Sequence, residues 1–476
     1  MQIDRLTLNN FRGLVNSTLD FTPGFNLIVG INGAGKTSTL DALRIVLAKA
    51  APEFVDRRLL FPGVGLTEGD ITVERGAAAI NCKLSRNGQS FDLTITEQRV
   101  ETQDALKVDR YGAHGTRDVP ASKASHRGRR LVAGDLRLDG TLRGQTSEGT
   151  QGTSGLIPQP DPRLQQAGPT PLVLYLSVRR AIVNHAISKG NIRHPAYRRA
   201  FVEDRGLAAQ QLADWWRGRN VLAEGQPNSR AAKQLAAVKD ALRLLLPHLV
   251  KWGINGEELE VTKVFDMERI DANGGTTVET EHRRIPLRML SDGERSLAAI
   301  ATDIAQRLVL LNENSDDPLI TGTGVVLIDE LDLHLHPQWQ RTVVEGLRAA
   351  FPSLQFICST HSLFLIQSQR TGNLIRLDNV GDEERPAEAF HQKSIEDIAE
   401  EVQGVEMPQK SQRYIDMIAA AEQYYALLRK GTANSGNLAG LRSQLDELTV
   451  PFSDDAAFQA LLKQQRLLAL GDGAIK

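Results

Sequence analysis

Over the first thirty residues the apolar positions recur at strand-like intervals. Ile3, Leu6 and Leu8 share a face, Asn9-Asn10-Phe11-Arg12-Gly13-Leu14 reads as a turn, and a second short strand is expected over 17–21. Phe25-Asn26-Leu27-Ile28-Val29 is the apolar run of a buried strand, after which the period lengthens and Ser38 to Leu47 takes helical spacing. Alternation returns over 70–96 (Ile71, Val73; Ile80, Cys82, Leu84; Phe91, Leu93, Ile95), with Asn87-Gly88 placed as a hairpin turn. From Gly112 to Pro171 no period survives and Gly, Pro, Ser, Arg and Thr dominate, which predicts a flexible insertion. Pro171 to Arg180 then opens as a core strand and ends in a basic pair.

Helical spacing follows over 207–220, with Leu207, Leu212 and the pair Trp215-Trp216. It recurs over 230–250, with Leu235, Val238, Leu242, Leu245 and Leu249 on one face. Residues 257–289 alternate weakly around Asn273-Gly274-Gly275, a hairpin. A helix from 291 to about 311, a strand at 325–328, a helix near 337–350 and a strand at 355–358 complete an α/β order, in which helices cover a largely parallel sheet. Beyond about 391 every apolar series keeps helical spacing. The expected organisation is a head begun by residues 1–111, an insertion at 112–170, the rest of the head with a helical lobe at 171–390, and a helical segment at 391–476 for partner or oligomer contact.

At 476 residues the chain is long enough for two or three domains, and its formal net charge of −2 means that any nucleic-acid contact must come from a local patch. His126-Arg127-Gly128-Arg129-Arg130 is one such cluster, although a solvated basic linker is its simpler reading. Two cysteines far apart, Cys82 and Cys358, point to core positions and a reducing compartment. With no apolar leader in residues 1–6 and no run of membrane-spanning length, a cytoplasmic chain with no membrane partner is expected.

Against this background Gly30-Ile31-Asn32-Gly33-Ala34-Gly35-Lys36-Thr37 fits the P-loop pattern between its expected strand and helix. Glycines let successive backbone N–H groups turn inward and the helix N-terminus adds partial positive charge, so Gly30, Asn32, Gly33, Ala34, Gly35, Lys36, Thr37 and Ser38 form a candidate cradle for ATP phosphates. Lys36 would reach the β/γ-phosphates and the Thr37 hydroxyl would ligate Mg²⁺. The strand Val325–Ile328 ends in Asp329-Glu330. The first carboxylate suits the Mg²⁺ shell and the second the attacking water, as general base. Ser291-Asp292-Gly293-Glu294 is a capping box at a helix start, where free N–H groups and a small Gly293 can receive an anion. His334, His336 and His361 invite a zinc reading, but no cysteine or carboxylate set accompanies them. Trp215-Trp216 reads as packing before it reads as a base-stacking platform.

Taken together, Phe11-Arg12-Gly13, the P-loop, Leu290-Ser291-Asp292-Gly293-Glu294, the run Asp329 to Pro337 and Ser359-Thr360-His361-Ser362 resemble the soluble ABC-type ATPases of the RecF/SMC and OLD-like group. The resemblance covers 1–100 and about 171–390. It implies a P-loop NTPase head whose mixed sheet carries flanking antiparallel strands and a helical lobe, and an ATP-sandwiched homodimer or higher oligomer. In that dimer Ser291 and Gly293 contact the ATP of the opposite subunit. By the same resemblance Arg12 approaches the phosphates, Asp332 lies in the D-loop and His361 is the switch histidine. No glutamine loop is assignable. The segment from Ser394 through Met407-Pro408 looks like the C-terminal part of Septu-type and retron-associated defence ATPases, which implies a separately encoded HNH-type nuclease partner and DNA contact through the complex. No nuclease motif of its own is visible. A RecF-like repair ATPase binding DNA directly, or an assembly scaffold with negligible turnover, are the competing expectations.

Overall fold

The computed structural model describes residues 1–55, 59–99, 136–138, 169–183, 195–202, 206–256, 258–270, 276–377, 388–405, 408–430, 435–452 and 464. Strands β1 (Gln2–Phe11) and β2 (Leu14–Asp20) form a hairpin, and β3 (Phe25–Val29) leads through the P-loop into helix α1 (Lys36–Phe54). A second hairpin, β4 (Ala77–Arg86) and β5 (Gln89–Gln98), turns at Asn87 and Gly88, both with positive φ. Strands β2-β1-β4-β5 make an antiparallel sheet, and β6 (Leu136–Leu138) extends it along β5. The three-residue step from Ile3 to Leu6 is off-period for a strand. A register shift between Ile3 and Arg5 absorbs it, and Ile3 and Leu6 are both fully buried.

The other half of the head is a second sheet in which all neighbours run parallel. Its order is β15-β3-β14-β13-β7, with β7 (Leu172–Leu176), β13 (Gly324–Ile328), β14 (Leu354–Ser359) and β15 (Asn373–Arg376). β3, β7, β13 and β14 are buried at every position, which is why they read as continuous apolar runs. Helix α1 contacts β13, β14 and β7 of this sheet and also β4 and β5 of the other. Lying between two sheets, it is buried almost all round from Leu40 to Leu47.

Between β7 and β13 come the paired strands β8 (Ala181–Val183) and β9 (Gly206–Ala208), then helices α2 (Ala209–Ala223) and α3 (Arg230–Leu245). The antiparallel strands β10 (Leu249–Asn255), β11 (Glu258–Ile270) and β12 (Thr276–Pro286) follow, and then the long helix α4 (Asp292–Leu311). Short helices α5 (Pro318–Thr321), α6 (Pro337–Gln340), α7 (Val343–Ala350), α8 (Leu363–Ser368) and α9 (Glu388–His391) connect the rest. The compact head runs from Met1 to Lys393.

A second compact unit, Ser394–Lys476, contains α10 (Ile395–Gln403), α11 (Gln412–Lys430) and α12 (Ser435–Thr449). A capping box at Ser394 and Asp397 starts α10, and Gly404 in the left-handed region ends it. Met417, Ala421, Tyr424, Tyr425 and Leu445 bury a core of their own between α11 and α12. No helix among the described residues is long and apolar enough to cross a membrane.

Several expected boundaries move. The helix expected over 230–250 stops at Leu245, because Pro247 cannot continue it, and Leu249 opens β10. Leu207 belongs to β9, ahead of its helix. Val73 is largely exposed and Ile71 makes an isolated bridge to Phe11, so the alternation expected from 70 begins at Ala77. The helix expected over 337–350 breaks between Gln340 and Val343. Trp216 is fully buried against Trp252, a core role. Of the expected insertion, only 136–138 and 169–170 fall within the described residues, and the basic cluster 126–130 lies outside them.

Candidate nucleotide site

Because the core sheet is parallel, its strands end together. Register pairs Ile28 with Ser359, Ile328 with Cys358 and with Leu176, and Val29 with Arg376. The segments that leave these ends therefore share one edge, the place where open parallel sheets present their ligand sites. They are the P-loop, Ser177 to Arg180, Asp329 to Pro337 and Thr360 to Ser362.

In the P-loop, Gly33 and Gly35 have φ of +82° and +101°, values a side chain strains to adopt. Gly35 caps α1 in the left-handed conformation, and a Cβ there would lie 3.0 Å from Leu14 Cδ2. Ile31, Asn32, Gly33 and Thr37 are exposed, Ala34, Gly35 and Ser38 half-buried, and Lys36 buried. Its ammonium donates to the carbonyls of Gly30 (2.8 Å) and Ile31 (2.9 Å), so the cation lies along the inside of the loop.

The carboxylate of Asp329, at the end of β13, is buried. Its Oδ1 accepts from Ser359 Oγ at 2.6 Å and lies 3.4 Å from Thr37 Oγ1. Ser359 Oγ in turn accepts the Glu330 N–H at 2.8 Å, so one hydroxyl from β14 ties both acidic residues. Glu330 has φ +46°, a left-handed conformation costing roughly 1–2 kcal/mol for a residue with a side chain. From the opposite side the buried Arg180 guanidinium donates to the carbonyls of Asp329, Glu330 and Ser177. Thr37 and Asp329 offer hard oxygen donors within one cation's reach, and the buried lysine stands beside them, so the residues present fit a Mg²⁺–triphosphate.

Asp332 Oδ1 accepts from Thr360 Oγ1 (2.6 Å) and from the His361 backbone N–H (3.3 Å), which joins these two segments. His336 caps α6 through Nδ1, and among the described residues no three His, Cys, Asp or Glu side chains converge as metal ligands.

Arg12 is held by two carboxylates. At φ +50° its Nε donates to Asp70 (2.9 Å) and its Nη1 to Asp41 (2.6 Å), fastening the first hairpin to the P-loop helix. Burial disfavours the charge on both Arg12 and Asp70. The Thr67 and Arg12 contacts outweigh it and hold Asp70 below the usual carboxylate range.

Ser291 caps α4 by the expected capping box, with its hydroxyl and N–H both held by Glu294 Oε2 at 2.8 and 2.9 Å. The other oxygen, Oε1, meets His248 Nε2 at 2.6 Å and Lys263 Nζ at 2.7 Å. Burial raises the Glu294 pKa, but the hydrogen bonds from His248, Lys263 and Ser291 prevail and lower it to about 2. Ser291 itself is exposed, whereas Gly293 is buried: a Cβ on it would lie 2.5 Å from the His334 carbonyl and 3.0 Å from the Trp339 ring. Gly293 is thus a close-packing glycine within its own subunit.

The sequence did not single out Ser359, Thr360, Arg180, His248 or Lys263. Ser359 and Thr360 stood beside His361 and Arg180 ended a recognised strand, which was all the signal available. Nothing local marks His248 or Lys263.

Residues 181–367 match the model of the family described as AAA domain, putative AbiEii toxin, Type IV TA system, and residues 5–119 match a second AAA domain model. A Retron Vc95 probable ATPase from Vibrio cholerae is 48% identical over 22% of this chain and 20% of its own length. A Retron Ec83 probable ATPase from Escherichia coli is 24% identical over 80% of this chain and 72% of its own. A Septu protein PtuA from Bacillus mycoides is 32% identical over 34% and 22%. The chain thus spans about a fifth of the Vibrio and Bacillus relatives it matches. An SMC head domain from Thermotoga maritima aligns over 79% of this chain and 94% of its own at 15% identity, with a TM-score of 0.36.

Proposed function

We propose that this chain, an ABC-type P-loop ATPase head similar to the ATPases of retron and Septu defence systems, binds and slowly hydrolyses Mg²⁺–ATP as the switch of a cytoplasmic anti-phage complex. The observation that carries the reading is the bonded set Thr37, Asp329, Ser359 and Glu330 beside the buried Lys36. In it Lys36 exchanges loop carbonyls for phosphate oxygens, and Thr37 and Asp329 hold the cation. Bound Mg²⁺ neutralises charge on the phosphate oxygens. Glu330, next in sequence to the cation carboxylate, orients the attacking water and takes its proton. Asp332 keeps the His361 segment in place, and His361 is assigned the γ-phosphate.

Ser291 and the free N–H groups of α4 face the ATP of a second copy, so that two chains enclose two nucleotides, with Gly293 setting how closely α4 approaches His334. The likeness to retron and Septu ATPases supports the place in defence. We assign the helical unit from Ser394 to contact with an HNH-type nuclease encoded separately, with DNA reached through that complex.

The test is steady-state hydrolysis together with mass by light scattering. Glu330→Gln should lower kcat by about 100-fold or more while ATP still assembles the larger species. Lys36→Ala should lose both. Unchanged turnover in Glu330→Gln would remove it as the base, and tight binding of DNA by the chain alone would favour a RecF-like repair role.

A further inference from the structure

The chain beyond Ile328 leaves its ladder at the residues that carry the acidic pair. Asp329 still donates its N–H to Leu176 and Glu330 donates to Ser359 Oγ, while the Glu330 carbonyl accepts the Leu333 N–H at 3.0 Å and β7 has ended at Leu176. Arg180, three residues past the Ser177 turn, fills that place. Its two terminal nitrogens donate to the Asp329 and Glu330 carbonyls, and Nη1 also reaches the Ser177 carbonyl at 3.1 Å. With 5% of its surface exposed, this guanidinium gives its hydrogen bonds among the described residues to main-chain oxygens and to no carboxylate. Glu330 is thereby held in the left-handed conformation by the Ser359 hydroxyl at its N–H and, at its carbonyl, by Arg180 together with the Leu333 N–H.

From this geometry we propose that Arg180 is a positioning residue for hydrolysis, acting through the Glu330 backbone: it fixes the left-handed turn that aims the Glu330 carboxylate at the attacking water. The assignment rests on the hydrolysis reading above. A planar fork suits the task, because two adjacent carbonyls need two donors at fixed spacing, and a lysine ammonium cannot replace it in that geometry. A purely structural arginine would affect nucleotide affinity, stability and turnover without regard to Glu330. A positioning one acts only while Glu330 is there to be aimed.

The full-length chain and three variants decide it: Arg180→Lys, Glu330→Gln and the double variant. Arg180→Lys should lower kcat at least tenfold with KM for ATP within about threefold. The double variant should turn over no more slowly than Glu330→Gln alone, since the two act as one unit. Hydrogen exchange adds a readout independent of turnover, with faster exchange expected over 329–335 in Arg180→Lys and unchanged exchange over the P-loop. Should Arg180→Lys not fold, Arg180→Gln, which keeps one donor group, is measured in the same way. A kcat within twofold of wild type, a double variant slower by the full product of the singles, or unaltered exchange at 329–335 would overturn the proposal. Absence of turnover in the wild-type chain would instead sink the hydrolysis reading, and this assignment with it.

Discussion

Ser359 does the work of two residues, since one hydroxyl serves the Asp329 carboxylate and the Glu330 N–H. Removing it leaves a buried carboxylate short of a donor and a buried N–H short of an acceptor. Ser359→Ala should cost about 1–3 kcal/mol in urea unfolding and weaken Mg²⁺-dependent nucleotide binding. Glu294 sets a pH dependence. Its folded pKa lies below its ordinary 4.5, so its stabilisation is complete above that value and is lost as pH falls towards about 2. Melting between pH 5 and 2 should therefore drop more steeply for wild type than for Glu294→Gln, and equal slopes would contradict the pairing of Glu294 with His248 and Lys263. The capping box was legible from Ser291 and Glu294 alone because its parts lie within one helical turn. The other half of the Glu294 environment was not, since the turn before β10 delivers His248 and strand β11 delivers Lys263, both far from Glu294 in sequence. Arg12 shows the same limit: its motif was visible, but its ion pairs with Asp41 and Asp70 were not.

At the scale of elements, the buried strands were readable because parallel neighbours on both sides leave no polar alternation to confuse the pattern. Breaks were harder. Leu249 continues a helical period that Pro247 has already ended, and the break between Gln340 and Val343 falls at Arg341-Thr342, where neither glycine nor proline marks it. Glycines at close approaches give the sharpest tests. Gly324 opens β13 with φ +149°, and a Cβ would lie 1.9 Å from the Leu172 carbonyl oxygen, so Gly324→Ala should separate β13 from β7 and cost about 3 kcal/mol or more in denaturant titration. Gly293→Ala is expected to push α4 away from His334, lowering ATP-dependent assembly more than ATP binding by the single chain. Equal losses of both would place the defect elsewhere.

For the whole molecule, the α/β order predicted the core sheet, while the antiparallel strands proved to form a sheet of their own, separated from the core sheet by α1. The helical unit has its own buried cluster around Met417 and Tyr424 and is a compact unit distinct from the head, which ends at Lys393. Residues 1–393 should accordingly keep nucleotide binding when expressed alone, measured by fluorescence of a labelled ATP, and fail to co-purify the nuclease partner proposed above. Ser291→Arg in the full chain should still bind ATP yet show no nucleotide-dependent rise in mass.

The strand that leads into the P-loop has a further consequence for how the molecule is made. Leu27 of β3 is flanked by Cys358 and Leu374, so its partners leave the ribosome roughly 330 residues after it, on the order of tens of seconds at about 5–20 residues per second. For that interval the nascent chain holds a complete phosphate-loop sequence on an apolar strand with neither neighbour in place. Translation stopped before β14 should yield a chain that chaperones retain and ATP does not, because this site is among the last parts of the head to be assembled.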